Sequence, residues 1–283
     1  MTGGFRLTRW ALESFYGLRA AVAPPLDAVD FVYRSLSGRA HVPPLSARQL
    51  VSGRFWASPG DFEAVGRAEA RSWREAMEIE RSHVVLDIGC GCGRVAKALF
   101  DMLGPDSPYL GGDVDARAIG WCRAHLARAN PNASFFHIDA YNSIYNPGSR
   151  RPARDYRFPL ADASVDRIAL SSVFTHMLPP DVDRYLDEMA RLLRPGGLAY
   201  AGVFLISPER LQSDLVRVKF PLRKDGHYLT SEKYPDLEVA YDAAVFLDMA
   251  RRRGLSPRGP VRWGEWAGEP GYRPLDVVVL EKG

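Results

Sequence analysis

The chain has 283 residues, 46% of them hydrophobic and 25% charged, an ordinary globular composition that excludes a disordered or fibrous chain. At this length about three quarters of the unfolded surface can be buried, so no disulfide or metal staple is required. Thirty-seven basic and 34 acidic residues leave a net charge of +3, too balanced for obligate nucleic-acid binding.

Arg outnumbers Lys 32 to 5. Arginine forks grip carboxylate and phosphate, so a phosphate-bearing substrate stays open beside a plain coding bias. No apolar stretch approaches the roughly 18 residues that span a bilayer. The opening MTGGFRLTRWALESFYGLRA lacks the apolar block and cleavage site of a secretory signal. Cys90, Cys92 and Cys122 are odd in number and offer no paired framework. A reduced, soluble, cytoplasmic protein is expected.

In chain order, Leu7, Trp10, Ala11, Ser14, Leu18 and Val22 fall on one helical face, ended by Pro24-Pro25. A short helix follows over Leu26 to Leu36, and Pro43-Pro44 mark a break. A longer helix is predicted from Pro59 to about Arg81, capped by Ser58. The first 60 residues carry seven basic and three acidic side chains. That region reads as a cap packed over a site, with a membrane-surface role as the alternative.

From His83 strands and helices alternate. HVVLDI, PYLGGD, ASFFHID, VDRIALSSV and LAYAGVFLI read as strands. The intervening helices are RVAKALFDML, a segment from Asp115 to Ala129, and DVDRYLDEMARLLR, ended by Pro195-Gly196-Gly197. YDAAVFLDMARRRG is a further helix, and LSPRGPVRW with LDVVVLEK closes the chain as an antiparallel hairpin. This is an α/β pattern: a doubly wound, Rossmann-like, mostly parallel sheet. The expected organisation is a helical extension over residues 1–81 and a sheet domain over 82–283, with insertions at about 141–159 and 208–237.

The sharpest motif is Asp87-Ile88-Gly89-Cys90-Gly91-Cys92-Gly93-Arg94, between the first strand and its helix. Glycines there let backbone approach a ligand. The spacing is Gly-x-Gly-x-Gly, not the Gly-x-Gly-x-x-Gly that seats a pyrophosphate, and Asp87 before it would repel one while suiting an ammonium group. Asp113 ends the second strand, 20 residues after Gly93, where a carboxylate accepts from both hydroxyls of a ribose. Asp139 ends the third strand and suits an adenine amino group, with the Ala140 backbone at the ring edge.

Together VVLDIGCGCGR, YLGGDVD, FHIDA, FPLADASVDRIALSSVFTHM and RLLRPGGLAYAGVFL resemble the class I S-adenosylmethionine-dependent methyltransferases, over about residues 82 to 281. The resemblance implies seven strands with a reversed last one. It implies that Asp87 and the loop of Gly89, Cys90, Gly91 and Gly93 hold the methionine moiety. By the same resemblance Asp113 with Val114 holds the ribose, Asp139 with Ala140 the adenine, and Ser171 adds a further cofactor contact. GCGCGR with SVFTHM is similar to a bacterial small-molecule or glycan-type group. The expected cofactor is S-adenosylmethionine, leaving as S-adenosylhomocysteine.

Methyl transfer draws much of its rate from in-line placement and needs a base only for an unactivated hydroxyl or a protonated amine. His176, just past the fourth strand, is the candidate base; its other reading is a structural histidine fixing the next helix. His137 reads as structural. Ser171, Ser172 and Val173 stand where amino-directed DNA methyltransferases carry an Asn/Asp-Pro-Pro-aromatic tetrad, which is absent. The segment 141–159 is long for its connection and offers Tyr145, Asn146, Arg150 and Arg151 as acceptor contacts. The opposite wall is expected from 208–237, with His227, Tyr228 and Tyr241 as further contacts; Trp263 and Trp266 read as packing residues. A lone Cys-x-Cys supplies no structural zinc site, so no metal is assigned.

The reading is methyl transfer to oxygen or nitrogen of a small-molecule acceptor. Three alternatives stay open: aminopropyl transfer from the decarboxylated cofactor, a non-catalytic binding scaffold, and an RNA or protein acceptor. Fold alone does not deliver the acceptor.

Overall fold

The computed structural model describes residues 24–52, 58–104, 106–271 and 273–283. The helix expected on Leu7 to Val22 lies outside them. Among the described residues three helices precede the first strand: α1 over residues 24–36, α2 (Leu45–Ser52) and α3 (Pro59–Met77). The first two are tied through buried Asp30, which accepts from both Arg34 and Arg48. Ser58 caps α3 by accepting from the Asp61 amide at 3.0 Å, as the Ser-Pro start predicts. The helix stops at Met77, short of Arg81, because Glu78 turns left-handed at φ 51° and returns its N–H to the Arg74 carbonyl.

Five parallel strands follow: β1 (Val85–Ile88), β2 (Tyr109–Asp113), β3 (Ala133–His137), β4 (Val165–Leu170) and β5 (Leu193–Ile206). Their order across the sheet is β3-β2-β1-β4-β5. Between them run α4 (Arg94–Leu103), α5 (Ala116–His125) and α6 (Pro179–Leu192). The expected Asp115–Ala129 helix breaks after His125 into a short 3-10 turn, Ala127–Ala129. α6 also gives way to β5 directly at Leu193, so Pro195, Gly196 and Gly197 lie inside the strand.

The reversed last strand is present. β10 (Asp276–Lys282) pairs antiparallel with β5 and with β9 (Leu255–Pro257). Seven strands were expected, and among the described residues the sheet has ten. The additional three are β6 (Leu222–Arg223), β7 (His227–Leu229) and β8 (Val239–Asp242), each too short for an alternating pattern to register. β8 pairs with Phe204–Ile206 of β5, past the point where β4 stops pairing at Ala201. The small sheet therefore extends the carboxyl edge of the main one. A helix α7 (Ala243–Arg252) returns the chain to β9.

Period-2 alternation divides the core between the two sheet faces. Leu86, Ile88, Ile168, Leu170, Val278 and Leu280 face one core. There α6 buries Val182, Leu186 and Met189 along one stripe, each aliphatic residue contributing about 1.5–3 kcal/mol. Val85, Ala169, Tyr200, Val277 and Val279 face the other, with Trp73 and Met77 of α3. α3 thus shares a core with the sheet. It crosses α4 at Gly66, where a Cβ would stand 2.4 Å from the Arg94 carbonyl oxygen.

Candidate active site

The carboxyl ends of the parallel strands gather the glycine loop and the turn after β4. Gly89, Gly91 and Gly93 have φ of 84°, 53° and 76°, a region that costs an L residue strain. Gly89 also meets Val173: a Cβ there would lie 2.5 Å from Cγ2 of Val173. Beside it Ser172 is itself left-handed at φ 63°, a strained conformation of the kind held at functional sites. The Gly89 and Cys90 amides both donate to the Gly112 carbonyl, at 2.7 and 3.1 Å. That anchors the loop to the end of β2. Cys90, Cys92 and Cys122 are free and buried, and burial pushes the Cys90 thiol well up, which leaves it unreactive.

Two of the predicted carboxylates lie beside this loop. Asp87 is buried on the α3–α4 face and accepts from the Tyr109 hydroxyl at 2.6 Å. Burial pushes its carboxyl up to about 7, against the Tyr109 bond, and nearby Asp113 and Glu69 add to the rise. Asp113 is half-buried and is held by two backbone amides, Gly91 at 2.7 Å and Asp115 at 2.8 Å, one on each oxygen. Burial outweighs both and places it at about 6. Val114 beside it is half-buried, and its carbonyl meets the His137 ring at 3.0 Å.

Asp139, two residues past β3, is exposed. Ala140 is buried; its N–H donates to the Ile138 carbonyl and its own carbonyl accepts from Asn146 Nδ2 at 3.0 Å. Ser171 does more than end β4. Its hydroxyl donates to Glu69 of α3 at 2.6 Å and accepts from the Trp73 indole at 3.1 Å.

The expected acceptor residues divide. Tyr145 sets its ring edge-on to His176 with centroids 5.7 Å apart. Asn142 donates to the His176 carbonyl, and Ser143 is tied to Asp236 of the 208–237 insertion. Three separate segments thus share one wall. Arg150 and Arg151 are exposed, and among the described residues neither side chain has a hydrogen-bond partner. Burial lowers His176 below its usual value, and its Nδ1 is enclosed without a partner among the described residues. His227, Tyr228 and Tyr241 bond within the protein, to Asp225, Asp242 and Met177. Trp266 packs edge-on against Phe204 and Phe220.

These positions fit a charged nucleoside ligand. Each Asp113 oxygen keeps acceptor capacity beyond its one amide, and Gly89 of the loop is exposed beside it. Residues 85–197 match the family described as methyltransferase domain. That stretch runs from β1 into β5 and carries the glycine loop, Asp87 and Asp113, and it supports a class I S-adenosylmethionine-dependent methyltransferase domain there.

The chain is 30% identical over 155 residues to methyltransferase GfsG of Streptomyces halstedii, covering 53% of this chain and 49% of that protein. It is 32% identical over 116 residues to an arsenite methyltransferase of Aquipseudomonas alcaligenes, covering 41% and 31%. The chain therefore spans half or less of these relatives' length. Among solved structures, the 1,6-didemethyltoxoflavin-N1-methyltransferase of Burkholderia thailandensis, with its bound substrate and S-adenosylhomocysteine, aligns with a TM-score of 0.51 and 16% identity. That alignment covers 99% of this chain and 93% of that one, and shows a shared fold.

Residues 69, 73 and 273 escaped the sequence reading. Glu69 and Trp73 are spaced i,i+4 on α3, which signals a shared face, but Arg273 stands 204 residues away from Glu69 and leaves no local trace.

Proposed function

We propose that this methyltransferase methylates an oxygen or nitrogen of a small-molecule acceptor, of specialised-metabolite or glycan type. S-adenosylmethionine, when bound, supplies a methyl group activated by its sulfonium. In this reading Asp87 and the backbone of Gly89, Cys90, Gly91 and Gly93, with Ser171, hold the methionine end. Asp113 and Val114 hold the ribose, and Asp139 with Ala140 the adenine.

The observation that carries the small-acceptor reading is the tie between Ser143 and Asp236. It joins the 141–159 segment to the insertion directly beside His176, which supports a walled acceptor site rather than an open surface. Tyr145 and Asn146 line that wall, and Arg150 and Arg151 stand free for an acidic acceptor. Residues 1–81 act as a helical cap on the domain of residues 82–283 and contribute acceptor choice. His176, kept neutral by burial, serves as base if the acceptor is a hydroxyl. Among the described residues no helix is long and apolar enough to cross a membrane; action in the cytoplasm is part of the proposal.

Incubation with methyl-labelled S-adenosylmethionine and separate pools of small metabolites, glycans, RNA and protein tests the reading. Label is expected in a small-molecule fraction. Label confined to RNA or protein would replace it with the macromolecular alternative, and binding without transfer in any pool would favour the scaffold. Once an acceptor is known, His176→Asn should remove the acidic limb of the kcat profile; an unchanged profile makes the ring structural.

A further inference from the structure

Glu69 and Arg273 form an ion pair that the sequence motifs do not include. The Arg273 guanidinium, three residues before β10, donates to Glu69 Oε2. The side chains are 20% and 13% exposed. Glu69 Oε1 is already fixed by Ser171 at 2.6 Å and Trp73 at 3.1 Å. Among the described residues the guanidinium donates to no other group, which leaves most of its five N–H donors for a second acceptor.

This pair stands close to the glycine loop. Glu69 lies one turn after Gly66, where a Cβ would stand 2.4 Å from the Arg94 carbonyl oxygen, and it holds Ser171 at the turn after β4; its charge also raises the Asp87 carboxyl. Arg94 in turn feels Glu69, Asp87 and Arg273. Two carboxylates and two guanidiniums therefore converge where β1 passes into α4. None of the four belongs to the ribose and adenine positions at Asp113 and Asp139. The Glu69–Arg273 pair itself matches a zwitterion, which can exchange partners with an internal ion pair while every charge stays paired. Leaving one charge of such a pair unmatched is the costly alternative.

We propose that the Glu69–Arg273 pair receives the amino-acid end of the cofactor. Arg273 takes the carboxylate through its fork, Glu69 and Asp87 face the ammonium, and Arg273 thereby selects the carboxylated sulfonium over its decarboxylated form. The inference rests on the cofactor reading above and favours methyl transfer over the aminopropyl alternative.

Calorimetric titration with S-adenosylmethionine and with decarboxylated S-adenosylmethionine separates the possibilities. The wild-type protein should prefer the first by about 10- to 100-fold, the range for a charged hydrogen-bonded pair. Arg273→Ala should lose that preference through weaker S-adenosylmethionine binding, with the decarboxylated ligand held within about threefold. Arg273→Gln keeps an uncharged N–H donor on a shorter stem, and carries the same expectation if the alanine variant fails to fold. Wild-type preference retained in either folded variant overturns the proposal, as does equal wild-type binding of the two ligands. Binding of neither ligand by the wild-type protein overturns the cofactor reading itself.

Discussion

Tyr109 donates its hydroxyl to Asp87 at 2.6 Å, and both residues are only 2% exposed. The tyrosine stands on β2 and the aspartate on β1, in neighbouring parallel strands whose register pairs Asp87 with Gly111. A carboxyl enclosed in this way, with one neutral donor, is held at about 7 by burial.

Asp87→Asn should therefore stabilise the ligand-free protein at alkaline pH. An acid whose folded pKa is raised holds more protons folded than unfolded. Its contribution is fully present below the unfolded value of 3.8, and is lost as pH rises to about 7. The variant should gain on the order of 1 kcal/mol at pH 8, about 2–4 °C in Tm, and little at pH 4. Thermal melts at both values check it; an equal gain at each would show that the carboxyl titrates normally.

Cofactor affinity should rise with pH across the same interval. A sulfonium and an ammonium favour ionised carboxylates, and Asp113 at about 6 and Asp87 at about 7 are partly protonated on its acid side. Binding of S-adenosylmethionine should tighten from pH 5.5 to 8 and release protons near pH 6.5. Titration in two buffers of different ionisation enthalpy measures that release. A flat profile would place both groups outside the binding equilibrium.

Asp236→Ala should loosen the 141–159 segment and leave the cofactor alone. The Asp236 carboxylate accepts the Ser143 amide at 2.8 Å and the Ser143 hydroxyl at 2.5 Å. It is half-buried, so the loss is about 1 kcal/mol. Amide exchange at residues 141–146 should accelerate by about five- to tenfold, with S-adenosylhomocysteine affinity unchanged. Exchange that stays at the wild-type rate would deny the tie its role in the wall.

Arg210→Ala should be the most damaging of these changes. Asp276 is fully buried and accepts from Arg210 at 2.8 Å, the Gly264 and Leu205 amides at 2.7 Å, and the Trp266 indole at 2.6 Å. Removing the cation leaves a buried carboxylate without its countercharge, at a cost of about 3–5 kcal/mol. Arg210 also stacks on Trp263, 4.5 Å from the ring centroid, and that packing goes with it. A loss below 1 kcal/mol in chemical denaturation would mean the aspartate simply protonates.

The parallel sheet was legible because its signals are local. HVVLDI and DVVVLEK are continuous apolar runs, Ser58-Pro59 and Asp115 are caps that work within three residues, and Gly-x-Gly-x-Gly needs no distant partner. Asp113 ends β2 as expected, whereas β3 stops at His137 and leaves Asp139 two residues beyond it. What stayed hidden depends on contacts across the chain. The strands β6 to β8 are two to four residues long and exist because β5 runs on to Ile206, giving β8 an edge to pair with. Glu69 belongs to no local motif on α3; only the folded chain brings Arg273 and Ser171 to it. Asp236 sat in an irregular stretch where nothing marked Ser143 as its partner.

The central claim is that the loop from Gly89 to Gly93 and Asp113 bind S-adenosylmethionine. Its most direct test is parallel calorimetric titration of the purified protein with S-adenosylmethionine, S-adenosylhomocysteine and NAD, with Asp113→Ala as control. The account predicts binding of the first two, none of NAD, and a loss of about tenfold or more in the variant, the scale of one charged hydrogen-bonding group. Affinity undiminished in Asp113→Ala, or no binding of either sulfur ligand, would contradict it.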